Sequence, residues 1–219
     1  MSREKSTLVP GTLRELAFYI SSDLARYRAT GASSVIRVML FTQGFWASTV
    51  FRISTYLFVR FRHLVFPGRL VSALNMVALK MMQIITGISI PVGSRIGAGL
   101  YIGHCGGIII SSKAVLGSNC NISPQVVIGF SRKEGRFGVP VLGDRVFVGP
   151  GAKILGPLHI GDDVAVGANS VVLCDVPRRS VVAGIPAKVI NRDGSFDYIF
   201  YPGMESDPRR ARSIAEGAS

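Results

Sequence analysis

The 219-residue chain is 48% hydrophobic and 17% charged, which excludes extended disorder over most of its length and suits one large domain with an appendage. Its net charge of +12 is unevenly placed: residues 1–86 hold eleven Lys/Arg against three acids, residues 87–193 eleven against six, and residues 194–219 three against four. Such a balance suits an anionic membrane surface or a phosphate-rich ligand. Nucleic acid ranks last, since neither zinc-finger spacing nor an RNP-like aromatic strand is present.

In chain order, residues 1–86 read as a basic, apolar helical region, with helix expected over 11–30 and 34–86. Arg52, Arg60, Arg62, Arg69 and Lys80 interrupt its apolar stretches, and the longest uncharged run, Val38–Phe51, is fourteen residues, too short to span a bilayer. The expected role is to cap the repeat region that begins at residue 87 and to contact sister subunits, with peripheral membrane contact through residues 41–85 as the secondary reading.

From residue 87 the period changes. Aliphatic residues recur every six positions at Ile90, Ile96 and Ile102, then at Ile110, Leu116, Ile122 and Ile128, then at Leu142, Val148, Ile154, Ile160, Val166 and Val172. Neither an amphipathic helix nor an alternating strand has a period of six. A parallel β-helix does, if each hexad forms one flat side and three sides form a coil: the aliphatic residue points inward and stacks on its copies, while small residues turn the corners. Thirteen hexads predict a little over four coils, a stack of roughly 20 Å at strand spacing. Two phase breaks stand out. One adds two residues at His104-Cys105-Gly106-Gly107, and the other inserts eight around Ser131–Gly138. Insertions in repeat proteins gather on a functional face.

Pro177, Gly184 and Pro186 end the regular stack. In the tail, residues 191–219, the aromatic residues Phe196, Tyr198, Phe200 and Tyr201 are expected to pack back on the surface, and the segment beyond Pro208 is expected to lack regular structure. Cys105, Cys120 and Cys174 are odd in number, without metal-type spacing, and no secretory signal precedes them; reduced thiols in a cytoplasmic protein are expected.

The segments Gly87-Ile88-Ser89-Ile90-Pro91, Leu100-Tyr101-Ile102-Gly103-His104, Gly149 to Gly156 and Val182 to Lys188 resemble the hexapeptide-repeat acetyltransferases, specifically the serine acetyltransferase-like branch. Gln43-Gly44-Phe45 with Arg52-Ile53 is similar to the end of that branch's helical region. The resemblance implies a mainly β fold, a left-handed parallel β-helix over 87–190 with an N-terminal α-helical region and a short C-terminal tail. It also implies a homotrimer with active sites between subunits, acetyl-CoA as co-substrate, and a base at His104. In that branch an Asp precedes this His, whereas here Gly103 does. A second active-site His thirty-five positions later, before a Pro, is here Val139 before Pro140, and the Asp and His of the opening motif are Ser89 and Pro91. These departures move the pattern toward the polysaccharide and capsule O-acetyltransferases. The expected reaction is therefore acetyl transfer to a sugar hydroxyl in surface-polysaccharide biosynthesis. Serine O-acetylation for cysteine biosynthesis is the alternative, and a non-catalytic β-helical scaffold the second.

Acetyl transfer from a thioester needs a base for a hydroxyl whose own pKa lies far above neutrality, and a neutral imidazole in hydrogen-bond reach can serve. His104, in a glycine-flanked phase break, is the candidate. With Gly103 before it, its tautomer must be fixed by another group, a backbone carbonyl or Asp23. The N–H groups of Gly106 and Gly107 are candidate oxyanion donors. For coenzyme A the candidates are the small corner residues Pro150, Gly151, Ala152 and Ala168, with Lys188 for a phosphate. Arg132, Lys133 and Arg136 in the long insertion are candidates for anionic substrate groups. His63 and His159 read as structural, Cys105 is assigned no nucleophilic role, and no metal is expected.

Overall fold

The computed structural model describes residues 8–32, 34–64, 66–133 and 135–215. Four helices come first: α1 (Leu13–Ala29), α2 (Val35–Phe41), α3 (Gln43–Phe61) and α4 (Phe66–Thr86). Helix α1 starts on a capping box, in which the Thr12 side chain accepts from the Glu15 N–H and the Glu15 carboxylate accepts from the Thr12 N–H. Backbone hydrogen bonds to Glu15 lower its carboxyl pKa. The expected break near residue 31 is present, and the expected 34–86 helix divides further at Thr42 and at residues 62–64.

From Gly87 the chain winds into a parallel β-helix with three faces. The first face stacks β1 (Ile88–Ser89), β3 (Ile108–Ile110), β6 (Val127–Gly129), β11 (Lys153–Leu155) and β14 (Val171–Val172). The second stacks β2 (Arg95–Ile96), β4 (Val115–Leu116), β9 (Val141–Leu142) and β12 (His159–Ile160). The third stacks β5 (Asn121–Ile122), β10 (Phe147–Val148), β13 (Ala165–Val166) and β15 (Val181–Gly184), closed by the antiparallel β16 (Ala187–Asn191). The register is hexad on hexad, for example Ile128 on Ile110 and Ile154 on Ile128. All thirteen predicted inward residues are at most 5% exposed. The first face has five strands, so its rise is about 19 Å at strand spacing.

A second buried column stands two positions before the first: Leu100, Ile108, Ala114, Cys120, Val126, Val146, Ala152, Leu158 and Val164 are each 0–1% exposed. Side chains alternate along an extended strand, so positions i and i−2 share the inner face. Burial pushes the Cys120 thiol up to about 12, and it stays a protonated core residue.

The helices dock on the first coil through buried charge. Arg52, 0% exposed, pairs with Asp23 at 3.0 and 3.2 Å and donates to the carbonyls of Ile96 (2.6 Å) and Gly97 (2.7 Å). Asp23 also accepts from the Leu100 N–H at 2.8 Å. Burial pushes the Asp23 carboxyl above its ordinary range, against the pull of Arg52. Arg26 donates to Gly99 O (3.0 Å), to Phe200 O (2.7 Å) and to the Asn121 side chain. One arginine thus ties α1, the first coil and the tail together. Gly44 is required by contact: a Cβ there would lie 2.0 Å from the Ile102 carbonyl oxygen.

The tail does return to the third face, where Tyr198 stacks on Phe147 (4.5 Å between rings) and Ile199 and Tyr201 are buried. Residues 208–215, expected to lack regular structure, form α5 (Pro208–Ala215). Arg179 on the stack donates to the carbonyls of Ser213 and Ile214, supplying partners that a free peptide would lack.

Candidate functional site

The corner between the third and first faces is where the first phase break falls. His104 sits there between Ile102, on the third face, and β3. It is exposed and has no hydrogen-bond partner among the described residues. The bulge holds its shape through glycines in the left-handed region, Gly106 at φ +104° and Gly107 at φ +67°. The Gly106 N–H is taken by Thr86 O (3.0 Å) and its carbonyl by the Gln125 N–H (2.9 Å). Gly106 is therefore not a free oxyanion donor, which leaves Gly107 of the two. Cys105 is half-buried against the core.

The same edge continues above His104. The Gly151 N–H donates to Pro124 O (2.9 Å) and the Asn169 N–H to Pro150 O (2.8 Å), so the corners form one backbone ladder rising from the bulge. Pro150 and Ala168 are exposed on it, and Gly151 adopts φ +73°. Lys188, exposed on β16 beside the Gly184 turn, stands at the top, about five strand spacings or 24 Å above His104. The structure thus brings His104, Pro150, Gly151, Ala168 and Lys188 onto one edge. Ala152 does not belong with them. It is 0% exposed and occupies the inner column, so its side chain faces the core.

Two other expectations are corrected. Asp23 is buried against Arg52 and the Leu100 N–H with both carboxylate oxygens engaged, so it neither orients His104 nor meets substrate. The long insertion is an antiparallel hairpin, β7 (Ser131–Lys133) and β8 (Arg136–Gly138), rising from the edge between the first and second faces. Its Phe130 and Phe137 rings stack at 5.5 Å, and the Arg132 guanidinium lies 5.0 Å over Phe137. Arg132 and the backbone position of Arg136 therefore stand across the whole first face from His104 of the same chain; the side chains of Lys133 and Arg136 are outside the described part. His63, in the turn after α3, accepts from its neighbour Arg62, and His159 belongs to β12.

Two concavities lie away from this edge. One, about 370 Å³, sits between α3, α4 and the first strand, with Ser89 and Pro91 in its lining. The other, about 1080 Å³, runs along the second face past Gly97, Gly117, Gly143 and Gly161, with Asp144, Asp162, Asp175 and His159 around it. Those carboxylates bind backbone: Asp144 accepts from Ser118 N–H, Asp162 from Asp144 N–H and Asp175 from His159 N–H. Arg178 and Arg209 line it too, Arg209 pairing with Asp144 at 2.9 Å, so its charged groups are largely engaged with the chain itself.

A five-strand-high parallel β-helix of hexads, with a histidine at the foot of a small-residue edge, defines a hexapeptide-repeat transferase. The family model described as "Bacterial transferase hexapeptide (six repeats)" matches residues 140–174. A serine acetyltransferase of Mycobacterium tuberculosis is 35% identical over 80% of this chain and 74% of its own length. One of Synechococcus elongatus is 38% identical over 76% of this chain. The chain spans 65% of that relative, about two thirds of its length. Among solved structures, Neisseria gonorrhoeae serine acetyltransferase superposes with a TM-score of 0.72 at 33% identity, over 83% of this chain and 68% of that one. The Brucella abortus enzyme in complex with coenzyme A gives 0.72 at 28%, over 83% and 70%. The chain belongs to the serine acetyltransferase family.

That membership corrects the expectation of a sugar acceptor, because these relatives are named serine acetyltransferases. Gly103 and Val139 show which side chains are missing. A missing side chain does not specify a different acceptor.

Proposed function

We propose that this chain is an acetyl-CoA-dependent O-acetyltransferase whose acceptor is the hydroxyl of serine, with His104 as general base. The observation that carries the reading is the shared edge: the imidazole at its foot, small exposed corners above it and Lys188 at its top. Coenzyme A laid along that ladder puts its thioester end at His104 and a phosphate near Lys188. Pro150, Gly151 and Ala168 let the pantetheine arm approach backbone closely.

The imidazole takes the hydroxyl proton as the oxygen attacks the thioester carbonyl carbon. The oxyanion of the tetrahedral intermediate accepts from the Gly107 N–H. Collapse breaks the C–S bond, and the departing thiolate takes the proton held by His104. No enzyme acyl intermediate is needed, in keeping with the half-buried Cys105.

The hairpin favours a homotrimer. It stands a full face away from His104 in one chain, so only a neighbouring copy packed edge to edge can set a hairpin beside a base. In that arrangement Arg132, on the hairpin, supplies positive charge to the acceptor's carboxylate. Acetyl-CoA with L-serine, followed by coenzyme A release, tests the reading. Turnover is expected with the wild type and lost with His104→Ala. Absence of serine-dependent release, or unchanged turnover in the variant, overturns it.

A further inference from the structure

Helix α4 has two apolar faces, and the structure uses only one. Val71, Asn75, Leu79 and Met82 turn toward the molecule, Asn75 donating to Ser54 O at 2.8 Å. On the opposite side Phe66, Leu70, Leu74, Val77, Met81 and Ile84 recur at spacings of three and four, each between 51% and 80% exposed. At 100° per residue they fall in one stripe along a helix about 31 Å long. Arg69 and Lys80 flank the stripe, and Arg60 in the last turn of α3 and Arg62 and Leu64 in the turn before α4 are exposed as well.

No helix of the described residues is long and apolar enough to cross a membrane, so the stripe is not a span. What decides its occupant is charge. Residues 24–133 contain no Asp or Glu at all. A second copy presenting this same face would set Arg60, Arg62, Arg69 and Lys80 against their own counterparts. An anionic surface meets every one of those cations favourably.

We propose that the α4 stripe, with Arg60, Arg62, Arg69 and Lys80, docks the protein on an anionic lipid bilayer. Helix α4 lies in the plane of the interface, its apolar side chains between headgroups and acyl chains and its cations against lipid phosphates. Phe66, at the start of the helix, is the most exposed of the stripe at 80%.

The full chain, mixed with phosphatidylcholine vesicles with or without phosphatidylglycerol, is expected to float only with the anionic set, and less as salt rises. Leu70→Glu/Val77→Glu is expected to weaken flotation at least about ten-fold, and Arg60→Gln/Arg62→Gln/Arg69→Gln by about as much. Ile214→Glu, an exposed apolar residue on α5, is expected to leave flotation unchanged. The wild-type lipid and salt dependence stands whether or not a variant folds, and folding is checked by circular dichroism and coenzyme A release. Failure to bind anionic vesicles overturns the proposal. So does a Leu70→Glu/Val77→Glu variant that floats normally but sediments lipid-free as a smaller assembly, which makes the stripe a contact between copies.

Discussion

Two edges of the β-helix are built on the same backbone plan and end in opposite uses. On the edge between the second and third faces, left-handed residues stack as Gly99, Asn119, Arg145, Asp163 and Arg179. Their N–H groups climb a ladder: Asn119 to Ala98 O, Arg145 to Ser118 O, Asp163 to Asp144 O and Arg179 to Asp162 O. The edge between the third and first faces repeats the device with Gln125, Gly151 and Asn169. What differs is the side chains. The first edge is filled: Arg145 pairs with Asp163 at 2.6 Å, Asp144 and Asp162 hold backbone N–H groups, Arg26 and Arg52 take carbonyls, and the tail crosses it. The second carries Pro150, Gly151 and Ala168 above a histidine and is more sparsely held, with Lys153 donating to the Gln125 and Gly151 carbonyls at 2.6 and 3.1 Å. A repeat with equivalent corners thus becomes rigid scaffold where side chains from the helices, the stack and the tail lock it, and stays accessible where Lys153 meets only two of its carbonyls.

The contrast is broken most sharply at His104. Replacing it with Ala is expected to lower kcat/KM for serine-dependent coenzyme A release by about 10²–10⁴-fold, with the melting temperature unmoved because the side chain is exposed on the bulge. On the filled edge the opposite split is expected. Arg52→Met leaves Asp23 buried without its partner and frees two carbonyls, a loss of about 3–5 kcal/mol read from denaturant unfolding. Comparable loss of stability from both variants would dissolve the distinction between the edges.

Gly151→Ala probes the ladder itself. The added Cβ would lie 2.0 Å from the Asn169 side-chain oxygen, in a backbone at φ +73°. A cost of about 1–3 kcal/mol is expected, with KM for acetyl-CoA raised more than kcat is lowered. Lys188→Ala, at the top of the same edge, is expected to raise that KM about 3–10-fold without touching stability, the loss of one phosphate contact. If KM is indifferent to both, the co-substrate does not lie on this edge.

How much of the molecule is legible in its sequence depends on geometry. The hexads are readable because an inward-pointing residue must recur with the coil, so Ile90 through Val172 can be placed at once. The column at i−2 is equally present in the sequence, and overlooking it is what puts Ala152 among the ligand residues. Two positions before Ile154, it has to face inward. Asp23, Arg26 and Arg52 are opaque for a different reason. Their partners lie 29 to 174 positions away, and nothing local marks a charge that will be buried. The insertion at residues 131–138 announces its length through the broken phase. Its antiparallel pairing, and the edge it rises from, need the fold.

The smallest effect concerns what keeps the filled edge covered. Asp207 accepts from the Tyr201 hydroxyl at 2.8 Å and from the Arg209 N–H, and Arg209 reaches Asp144 on the stack at 2.9 Å. Partial burial alone would raise the Asp207 carboxyl; the hydrogen bonds from Tyr201 and the Arg209 N–H, with the nearby guanidinium of Arg209, hold it below its ordinary value of 3.8. A carboxyl lowered in the folded state contributes stability that is present above that value and is lost as pH falls through the folded pKa. Ion pairs with one solvent-exposed partner, here Arg209, are worth about 1 kcal/mol or less, so the tail is expected to loosen rather than the β-helix to unfold. Limited proteolysis at an acid-active protease's working pH is expected to open residues 204–215 faster below pH 3.8 than above it. Asp207→Asn is expected to show the faster cleavage on both sides of that pH. Equal cleavage at all pH values in the wild type would mean that the aromatic packing of Tyr198 on Phe147, not charge, holds the tail over the filled edge.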